Sequence, residues 1–332
     1  MDFNIPEELE SVKQLAAQIL SDFTAVEQLR QLEQQAEPFD GTLWQALAEA
    51  GLLGVDIEEA QGGTGLGFYA LTSLCEEVGR TVAAVPVVPV LVSAAGTLRR
   101  FAGDEQKEQL LPAIANGSLL VSAGLEEYNN DDPTRPACGA RSVEGGFALS
   151  GTKIGVSQAA RASRILVSAT TGEELVVALV DPNAAGVTLS PQVVTSGETR
   201  HELKLSEVQV PTEDIVAVGG KALEAMEWAL QATRTALSAM AVGVCDKMMR
   251  ITGQYTSERE QFGRPIATFQ AVSHRVADCY IDVECLKLVT QQATSLLDQG
   301  RPAGEASTIA KIWCGDVTHR VSQSAQHCHG GT

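Results

Sequence analysis

The sequence predicts an α+β protein in which helices come first, short strands follow and long helices return. Apolar residues recur at helical spacing over residues 1–117, whereas β-branched runs separated by turn residues fill 118–215. Three long segments of helical character then occupy most of 216–332. We therefore expect an N-terminal helical domain, a middle β domain and a C-terminal helical domain with these boundaries, the last cut short where the sequence ends.

The N-terminal helices are delimited by residues that start and stop helices. Asp40 can accept hydrogen bonds from the first turn of a helix, and Gly51 can end that helix in a left-handed conformation. The apolar face of this helix carries Leu43, Trp44 and Leu47. This spacing predicts one helix between the two delimiting residues.

The middle domain is predicted from short apolar runs and from one alternating segment. His201, Leu203 and Leu205 alternate with charged residues, as on a strand that is buried on one face. Turn residues such as those of 181–183 separate the runs, which indicates a compact β domain. The other predicted strands are 119–121, 165–168, 175–180 and 208–210.

Three long helices are predicted for the C-terminal domain. They cover 222–254, 269–299 and 304–326, and segments that contain glycine and proline at 263–265 and 300–302 interrupt them. Alanine, serine and glycine are frequent in the first of these helices. Such small residues allow neighbouring helices to approach closely.

The composition excludes several classes of function. Lys and Arg number 24 against 42 Asp and Glu, so the net charge of −18 repels nucleic acid and anionic lipid. The seven cysteines form no C-x-x-C pair, which predicts free thiols in a reducing compartment. The N-terminus has no basic signal segment, and the apolar stretch 82–95 is too short and too rich in proline to cross a bilayer. A cytoplasmic protein without membrane association is therefore expected.

The segment 259–270 combines an arginine, an aromatic residue and a turn. Arg259 precedes Gln261 and Phe262, and Gln270 follows the glycine–proline turn. A guanidinium group matches phosphate oxygens, so one interpretation of this segment is that Arg259 binds a ligand that carries phosphate. The alternative is an exposed arginine ahead of a turn, and this segment alone does not decide between the two interpretations.

The stretch from Gln326 onward ends in two adjacent glycines. Glycines let a backbone approach a ligand closely, because they carry no Cβ atom. His327, Cys328 and His329 suggest a metal site as an alternative. Alternate residues on a helix point away from each other and no second ligand cluster is evident, so no metal site is expected.

Together with three N-terminal motifs, these two segments resemble the acyl-CoA dehydrogenase family in content and order. Residues 43–54 resemble its W-x-x-L-a-e-x-G-l-l-g run, 61–65 its G-G-x-G loop and 76–80 its e-e-l-G-r motif. Residues 259–270 resemble its R-x-x-F-G-x-x-I-x-x-x-Q pattern, and 326–331 its Q-x-x-x-G-G pattern. The resemblance spans nearly the whole sequence and implies a β-barrel-like middle domain and a C-terminal four-helix bundle.

The resemblance also implies a flavin cofactor and a reaction. Family members use FAD to desaturate an acyl-CoA thioester and pass the electrons to an electron-transfer flavoprotein. In the family, the arginine of the R-x-x-F-G motif meets the FAD pyrophosphate, and its phenylalanine and glutamine lie beside the cofactor. The residues assigned to FAD by the resemblance are Arg259, Gln261, Phe262, Gln270, Gln326, Gly330, Gly331 and Ser157.

Two motifs of the middle domain depart from the family pattern. The family's T-E-P-x-x-G-S-D segment, which holds the flavin, begins with Leu125 here and lacks the Gly-Ser pair. In the K-x-W-I-T/S-N motif, Gly155 replaces the tryptophan that shields the flavin, although Ser157 keeps a hydroxyl group. The acidic residues of the first segment are expected to be solvated; they are Glu126, Glu127, Asp131 and Asp132.

The catalytic base that the resemblance implies is not identified in the sequence. In the family, a carboxylate removes the α-proton of the thioester while the flavin accepts the β-hydride. A minority of members carry it on the first long C-terminal helix, where this sequence has Thr233, whose hydroxyl cannot serve. Most members carry it beyond the Gly-Gly motif, so the base is expected beyond Thr332 or is missing.

These departures favour a paired-subunit enzyme. In the family the flavin lies across a subunit interface, and the R-x-x-F-G and Gly-Gly motifs reach the neighbour's cofactor. This sequence keeps the reaching motifs and alters those that hold its own flavin, as a subunit of a heteromeric α2β2 dehydrogenase for steroid side-chain CoA thioesters would. A paralogous partner subunit is therefore expected. Open alternatives are a homotetramer, a non-catalytic supporting subunit, and an acyl-CoA oxidase or flavin monooxygenase of the same fold.

Overall fold

A computed structural model describes residues 7–36, 38–130 and 132–330. In these residues helices come first, a sheet follows and long helices return, so the predicted α+β order is confirmed. The α-helices are α1 (Glu7–Phe23), α2 (Val26–Glu33), α3 (Gly41–Glu49), α4 (Gly67–Thr81), α5 (Gly96–Phe101), α6 (Asp104–Ala115), α7 (Gly220–Glu258), α8 (Gln270–Asp298) and α9 (Gly304–Cys328). A π-helix spans Val88–Ala95, and single 3₁₀ turns span Leu52–Gly54, Glu59–Gln61, Thr212–Asp214 and Ile266–Thr268.

The strands are short, except for two neighbouring strands of 12 residues each. They are β1 (Val121–Gly124), β2 (Gly139–Val143), β3 (Gly146–Ser157), β4 (Arg164–Thr170), β5 (Leu175–Val180), β6 (Val187–Gln192), β7 (Arg200–Pro211), β8 (Ile215–Val218), β9 (Glu260–Gln261) and β10 (Arg264–Pro265). The first eight form one sheet in the order β6-β7-β3-β2-β4-β5-β8, with β1 paired in parallel to β4. The last two form a separate hairpin.

The helix predicted after Asp40 is confirmed at both ends. The Asp40 side chain accepts a hydrogen bond of 2.9 Å from the N–H of Leu43. Gly51 follows the helix with a φ of +73°, the left-handed conformation that glycine adopts without strain. The apolar face is buried as predicted, with Leu43, Trp44 and Leu47 each at most 3% exposed.

The longest predicted alternation belongs to β7, which also includes the run 208–210 that was predicted as a separate strand. Leu203 and Leu205 are buried, and the burial pattern resumes at Val208 and Val210. The pairing of β7 with β3 is irregular between these two parts, where Glu207 has a φ of +52°. This bulge keeps both runs on the core face of one continuous strand.

The chain forms two compact units, each of which is considered by itself. Among the described residues, 25–67 and 84–233 form the sheet unit, which contains the eight-stranded sheet. The helical unit contains the residues up to 24, 68–83 and those from 234 onward. The border falls inside α7. The division into three domains that the sequence suggests remains a prediction.

In the helical unit, α4 and α7 are in backbone contact. A Cβ atom placed on Gly243 of α7 would lie 1.9 Å from the carbonyl oxygen of Glu76 on α4. A Cβ atom on Gly79 would lie 2.1 Å from the carbonyl oxygen of Met240. Arg80 strengthens the contact by pairing with carboxylates of both helices. The buried core beside this contact includes Cys245 on α7, Cys279 and Leu286 on α8, and Val317 and Val321 on α9.

This contact leads to a stability prediction. Replacing Gly243 by alanine is expected to lower the free energy of unfolding by about 2 kcal/mol, because the new methyl group meets backbone atoms that cannot rotate away. Gly253 of the same helix has no neighbouring atom within 4 Å of an added Cβ, so Gly253→Ala is expected to stabilise the protein by about 0.5–1 kcal/mol. Urea unfolding of both variants measures the difference. Equal effects would show that α4 and α7 are not in contact.

Candidate cofactor site

The segment between α7 and α8 is a tight hairpin that projects an aromatic side chain. Gln261 pairs with Arg264, and the two residues between them have positive φ angles, +54° for Phe262 and +75° for Gly263. This is the conformation of two-residue hairpin turns, but it is unfavourable for a bulky side chain such as phenylalanine. Phe262 is nevertheless 93% exposed. The hairpin therefore holds an apolar ring out in solvent.

The other predicted FAD residues of this segment surround the hairpin. Arg259 lies directly after α7, and its main chain bonds to Tyr255 and Ile266 at 2.8 Å each. Its side chain is exposed, and no carboxylate among the described residues pairs with it. Gln261 and Gln270 are also exposed. An arginine of this kind is available to a phosphate group without first breaking an ion pair.

Aromatic contacts fix the hairpin on the start of α8. The ring of Phe262 meets the ring of Phe269 edge-on, with centroids 6.1 Å apart. The guanidinium group of Arg264 lies 4.3 Å from the centroid of Phe269 on the ring face. These contacts order the hairpin although most of its side chains are exposed.

The second predicted FAD segment lies at the end of α9. Gln326 is exposed on its last turn, and Gly330 follows with a φ of +91° and no atom within 4 Å of an added Cβ. The ring of His329 stacks on the ring of Tyr255, with centroids 4.3 Å apart and planes at 20°. This stack brings the end of α9 to the end of α7, directly before Arg259. Gly331, the remaining predicted contact, lies outside the described residues.

The buried cysteines of the helical unit have thiols with raised pKa values. Among the described residues no group of three or more His, Cys, Asp or Glu side chains could hold a metal ion. Burial raises the pKa of the Cys279 and Cys328 thiols above the ordinary value. Burial raises the pKa of Cys245 to about 12, so this thiol stays protonated near neutral pH.

Ser157, the predicted FAD contact of the sheet unit, lies at the end of β3 and is 5% exposed. Gly155, two residues earlier, is held through its backbone. Its N–H donates to the side chain of Gln192 and its carbonyl accepts from Arg200, both at 2.8 Å. At the position where the family has a tryptophan, this unit therefore has a glycine whose main chain is held by two hydrogen bonds, and it has no aromatic ring there.

Of the four acidic residues that were expected to be solvated, Glu126 is exposed and Asp132 is half-buried, whereas the expectation for Glu127 was wrong. Asp131 lies outside the described residues.

Glu127 instead forms a buried ion pair with Lys153 in the sheet unit. Glu127 is only 6% exposed and Lys153 is fully buried, with 2.7 Å between the Lys153 ammonium and the Glu127 carboxylate. The backbone N–H groups of Ala137 and Cys138 also donate to this carboxylate, at 2.6 and 2.9 Å. The ammonium group of Lys153 also donates to the hydroxyl of Ser168 at 3.3 Å. The expectation failed because it considered only local polarity.

The charge of Glu127 is stabilised by these donors. Burial alone would raise the pKa of this carboxyl, but the hydrogen bond from Lys153, the two backbone donors and the lysine charge together lower it below its ordinary value of 4.5. Asn130 adds a further donor at 3.1 Å. The pair thus ties the loop that follows β1 to the middle of β3.

The side chain of Thr233, which occupies the alternative position of the family's base, forms a hydrogen bond with a neighbouring helix. Its hydroxyl lies 2.8 Å from the hydroxyl of Ser93, which belongs to the π-helix of the sheet unit. The same stretch contacts α7 again where Gly96 lies under Trp228, since an added Cβ would meet the indole at 2.4 Å. π-Helical turns are frequent at functional sites. No carboxylate is present at this position.

The fold is shared by two solved structures of PigA that hold FAD, each 22% identical to this chain, with TM-scores of 0.91 and 0.90. Models of the acyl-CoA dehydrogenase N-terminal and C-terminal domains match residues 6–118 and 220–332. The chain belongs to the acyl-CoA dehydrogenase family, whose members are oxidoreductases that act on acyl-CoA. The predicted family resemblance is confirmed.

Individual relatives span almost the full length of the chain. Acyl-CoA dehydrogenase FadE27 of Mycobacterium tuberculosis is 30% identical over 339 residues, covering 100% of this chain and 89% of the relative. A solved structure described as the Tcur3481-Tcur3483 steroid ACAD, in a G363A variant, is 41% identical with a TM-score of 0.91, covering 98% of this chain and 87% of that one. The ChsE4-ChsE5 complex from Mycobacterium tuberculosis is 30% identical with a TM-score of 0.92, covering 100% and 88%.

No helix among the described residues is long and apolar enough to cross a membrane.

Proposed function

We propose that the chain is one subunit of an FAD-dependent acyl-CoA dehydrogenase of the α2β2 type. In this proposal the helical unit completes a flavin site on a paralogous partner, and the assembly desaturates an acyl-CoA thioester between Cα and Cβ. The observation that carries the proposal is the exposed hairpin of Phe262 beside Arg259 and the end of α9. The site residues named from the sequence within 259–270 and 326–331 enter this proposal as the part of the site that reaches the partner, whereas Ser157 belongs to the sheet unit.

The hairpin supports a composite site because its conformation lowers the stability of the isolated chain. A phenylalanine at positive φ carries backbone strain, and its exposed ring gains nothing from burial. Both costs are offset when the ring packs against a cofactor or a partner. Arg259 lacks a carboxylate partner among the described residues, which suits it to bind an FAD phosphate.

The fit to FAD differs between the two units. In the helical unit, the open space at Gly330 and the exposed Arg259 suit a cofactor that approaches the backbone. In the sheet unit, Gly155 supplies no ring to cover a flavin, and Ser157 is almost fully buried. This contrast favours a flavin held mainly by the partner's sheet domain and completed by this chain.

Exposed apolar residues on α8 and α9 support an oligomer. Tyr280, Ile281 and Leu288 on α8 are 48–58% exposed, and Ile312 on α9 is 61% exposed. A set of large apolar side chains on neighbouring helices is typical of a subunit interface. The acidic net charge argues against nucleic acid as the partner that covers them.

The chemistry assigns limited roles to this chain. Bound FAD supplies the acceptor for a hydride from Cβ of the thioester. Thr233 cannot remove the α-proton, because a hydroxyl is not a base near neutral pH. A non-catalytic subunit that completes the partner's FAD site is therefore a second candidate, and Thr233 is the observation that favours it. An acyl-CoA oxidase or flavin monooxygenase would differ by rapid oxidation of its reduced flavin in air.

The substrate and acceptor are proposed from the relatives. Because the chain is 41% identical to a structure described as a steroid ACAD, we propose a CoA thioester with a bulky steroid side chain as the substrate. The likeness to the two-component ChsE4-ChsE5 complex supports a paralogous subunit. An electron-transfer flavoprotein is proposed as the electron acceptor, and the cytoplasm as the location.

The flavin-to-protein ratio tests the proposal. The chain purified alone is expected to be colourless, and the assembly formed by co-expression with the paralogous subunit is expected to hold one FAD for each pair of chains. Absorbance of the released flavin against total protein measures both. A homotetramer of this chain with one FAD in every subunit would overturn the heteromeric proposal, and dehydrogenation of the thioester by that tetramer would make it an ordinary homomeric enzyme.

A further inference from the structure

Tyr255 and His329 form a ring stack between two parts of the chain that are 74 residues apart in sequence (329 − 255). Tyr255 lies near the end of α7, and His329 directly follows α9. Their ring centroids are 4.3 Å apart and the planes differ by 20°. Both side chains are half-buried, so the pair is neither a core contact nor a free surface contact.

The stack lies between the two segments that carry the proposed FAD contacts. Arg259 is one helical turn after Tyr255, and its N–H donates to the Tyr255 carbonyl at 2.8 Å. Gln326 precedes His329 by one turn, and Gly330 follows it directly. Fixing the two rings against each other therefore fixes the arginine relative to the glycine.

The imidazole ring is held in one orientation by a second contact. Its Nδ1 lies 2.9 Å from the carbonyl oxygen of Ala325. A carbonyl oxygen only accepts, so Nδ1 carries the hydrogen and donates it. The backbone N–H of His329 donates to the same carbonyl at 3.1 Å. Backbone and ring are thus anchored to the last turn of α9 before the ring meets Tyr255.

A small cleft that is partly open to solvent lies beneath this turn. It has a volume of about 10 Å³ and lies between α7, α8 and the last turn of α9, lined in part by Thr252, Val276 and Cys328. A cleft of this size is at the lower limit for one water molecule.

We propose that Tyr255 and His329 are a positioning pair that sets the distance between Arg259 and Gly330 for binding the diphosphate of FAD. The inference rests on the proposed function, since it concerns the same composite site. Two segments that are already fixed lose little freedom when they bind a ligand, whereas separate segments must be ordered by the ligand itself. The stack therefore raises the affinity for FAD without touching the cofactor.

Variants that remove or keep the stack test this role. Tyr255→Leu and His329→Leu remove one ring each, whereas Tyr255→Phe and His329→Phe keep two stacked rings. The flavin-containing assembly is stripped of FAD, and the Kd for added FAD is measured by quenching of flavin fluorescence. The leucine variants are expected to weaken binding about fivefold to tenfold, the range that an aromatic pair supplies, and the phenylalanine variants less than twofold. The double leucine variant is expected to bind no more weakly than either single one.

The controls separate this inference from the proposed function. His327→Leu changes an exposed histidine of the same turn and is expected to leave the Kd unchanged. Arg259→Ala is the reference for the composite site. If Arg259→Ala weakens FAD binding and the leucine variants do not, the positioning role is wrong and the composite site stands. If Arg259→Ala binds FAD as the unchanged protein does, the proposed function itself is wrong.

Folding of the variants is checked by circular dichroism and thermal unfolding of the chain. If Tyr255→Leu fails to fold, His329→Leu, at the end of a helix, carries the test. Failure of both to fold would overturn the proposal, because the stack would then be a general packing contact and not a device for orienting two segments.

Discussion

Glu127→Gln is expected to lower the free energy of unfolding by about 4 kcal/mol, because it leaves the buried ammonium group of Lys153 without a counter-charge. Among the residues that the structure describes, the only other hydrogen-bond partner of that group is the Ser168 hydroxyl at 3.3 Å. Lys153→Met is expected to cost less, about 3 kcal/mol, because three N–H donors still satisfy the carboxylate that remains. Urea unfolding of the two variants gives both values.

The test depends on which of the two substitutions lowers the free energy of unfolding more. A smaller loss for Glu127→Gln than for Lys153→Met would mean that water reaches the lysine and that the pair is not buried. Arg141→Met removes an exposed ion pair with Glu207 in the same unit and is expected to cause no measurable change.

The pH dependence of the free energy of unfolding tests the same ion pair independently. The pKa of Glu127 in the folded protein lies below its ordinary value of 4.5, so its stabilising contribution is complete above that pH and is lost as the pH falls through the folded pKa. The unfolding free energy of the unchanged protein is therefore expected to fall more steeply below about pH 4.5 than that of Glu127→Gln.

Arg259→Ala is expected to weaken FAD binding by the proposed assembly on the order of a hundredfold, since a charge-assisted contact to phosphate is lost. The folded state should be unaffected, because the side chain is exposed and makes no ion pair with the described residues. Fluorescence titration of the stripped assembly measures the Kd. Arg259→Lys is expected to recover only part of the loss, because an ammonium group cannot engage two phosphate oxygens side by side.

A matched control is available at the opposite end of α8. Arg301 is also an exposed arginine, but it follows the far end of this 29-residue helix, about 43 Å along the axis from the hairpin. Arg301→Ala is expected to leave the Kd for FAD unchanged. An equal loss from both substitutions would indicate a general effect of charge on an anionic ligand and would contradict a specific contact.

The elements governed by local chemistry could be predicted from the sequence. The cap at Asp40 and the buried face of α3 depend on residues within three or four positions of each other. The union of 201–205 and 208–210 into β7 could not be predicted, because it depends on a bulge opposite β3. A break in alternation looks the same in sequence whether the strand ends or continues through a bulge.

The residues of the candidate site could likewise be predicted only where they are close together in sequence. Arg259, Gln261 and Phe262 form a recognisable motif because they are adjacent in sequence, and the hairpin keeps them together. Glu127 and Lys153 are 26 positions apart and come together only through strand pairing, so their charges gave no signal of burial. The Tyr255–His329 stack was missed for the same reason, since neither residue is polar or apolar enough to mark a contact by itself.

The crossing of α4 and α7 at Gly79 and Gly243 restricts how this chain can evolve. A side chain at Gly243 would meet the carbonyl of Glu76 and the N–H of Arg80, which every amino acid at those positions carries apart from the N–H that proline lacks. A second substitution on α4 could therefore not make room for the new side chain, because the clash is with backbone atoms. In an ordinary core, a smaller side chain at the neighbouring position would make room. Compensation would require moving the axis of a whole helix, so the stability lost by replacing either glycine is not recovered by any single substitution on the other helix.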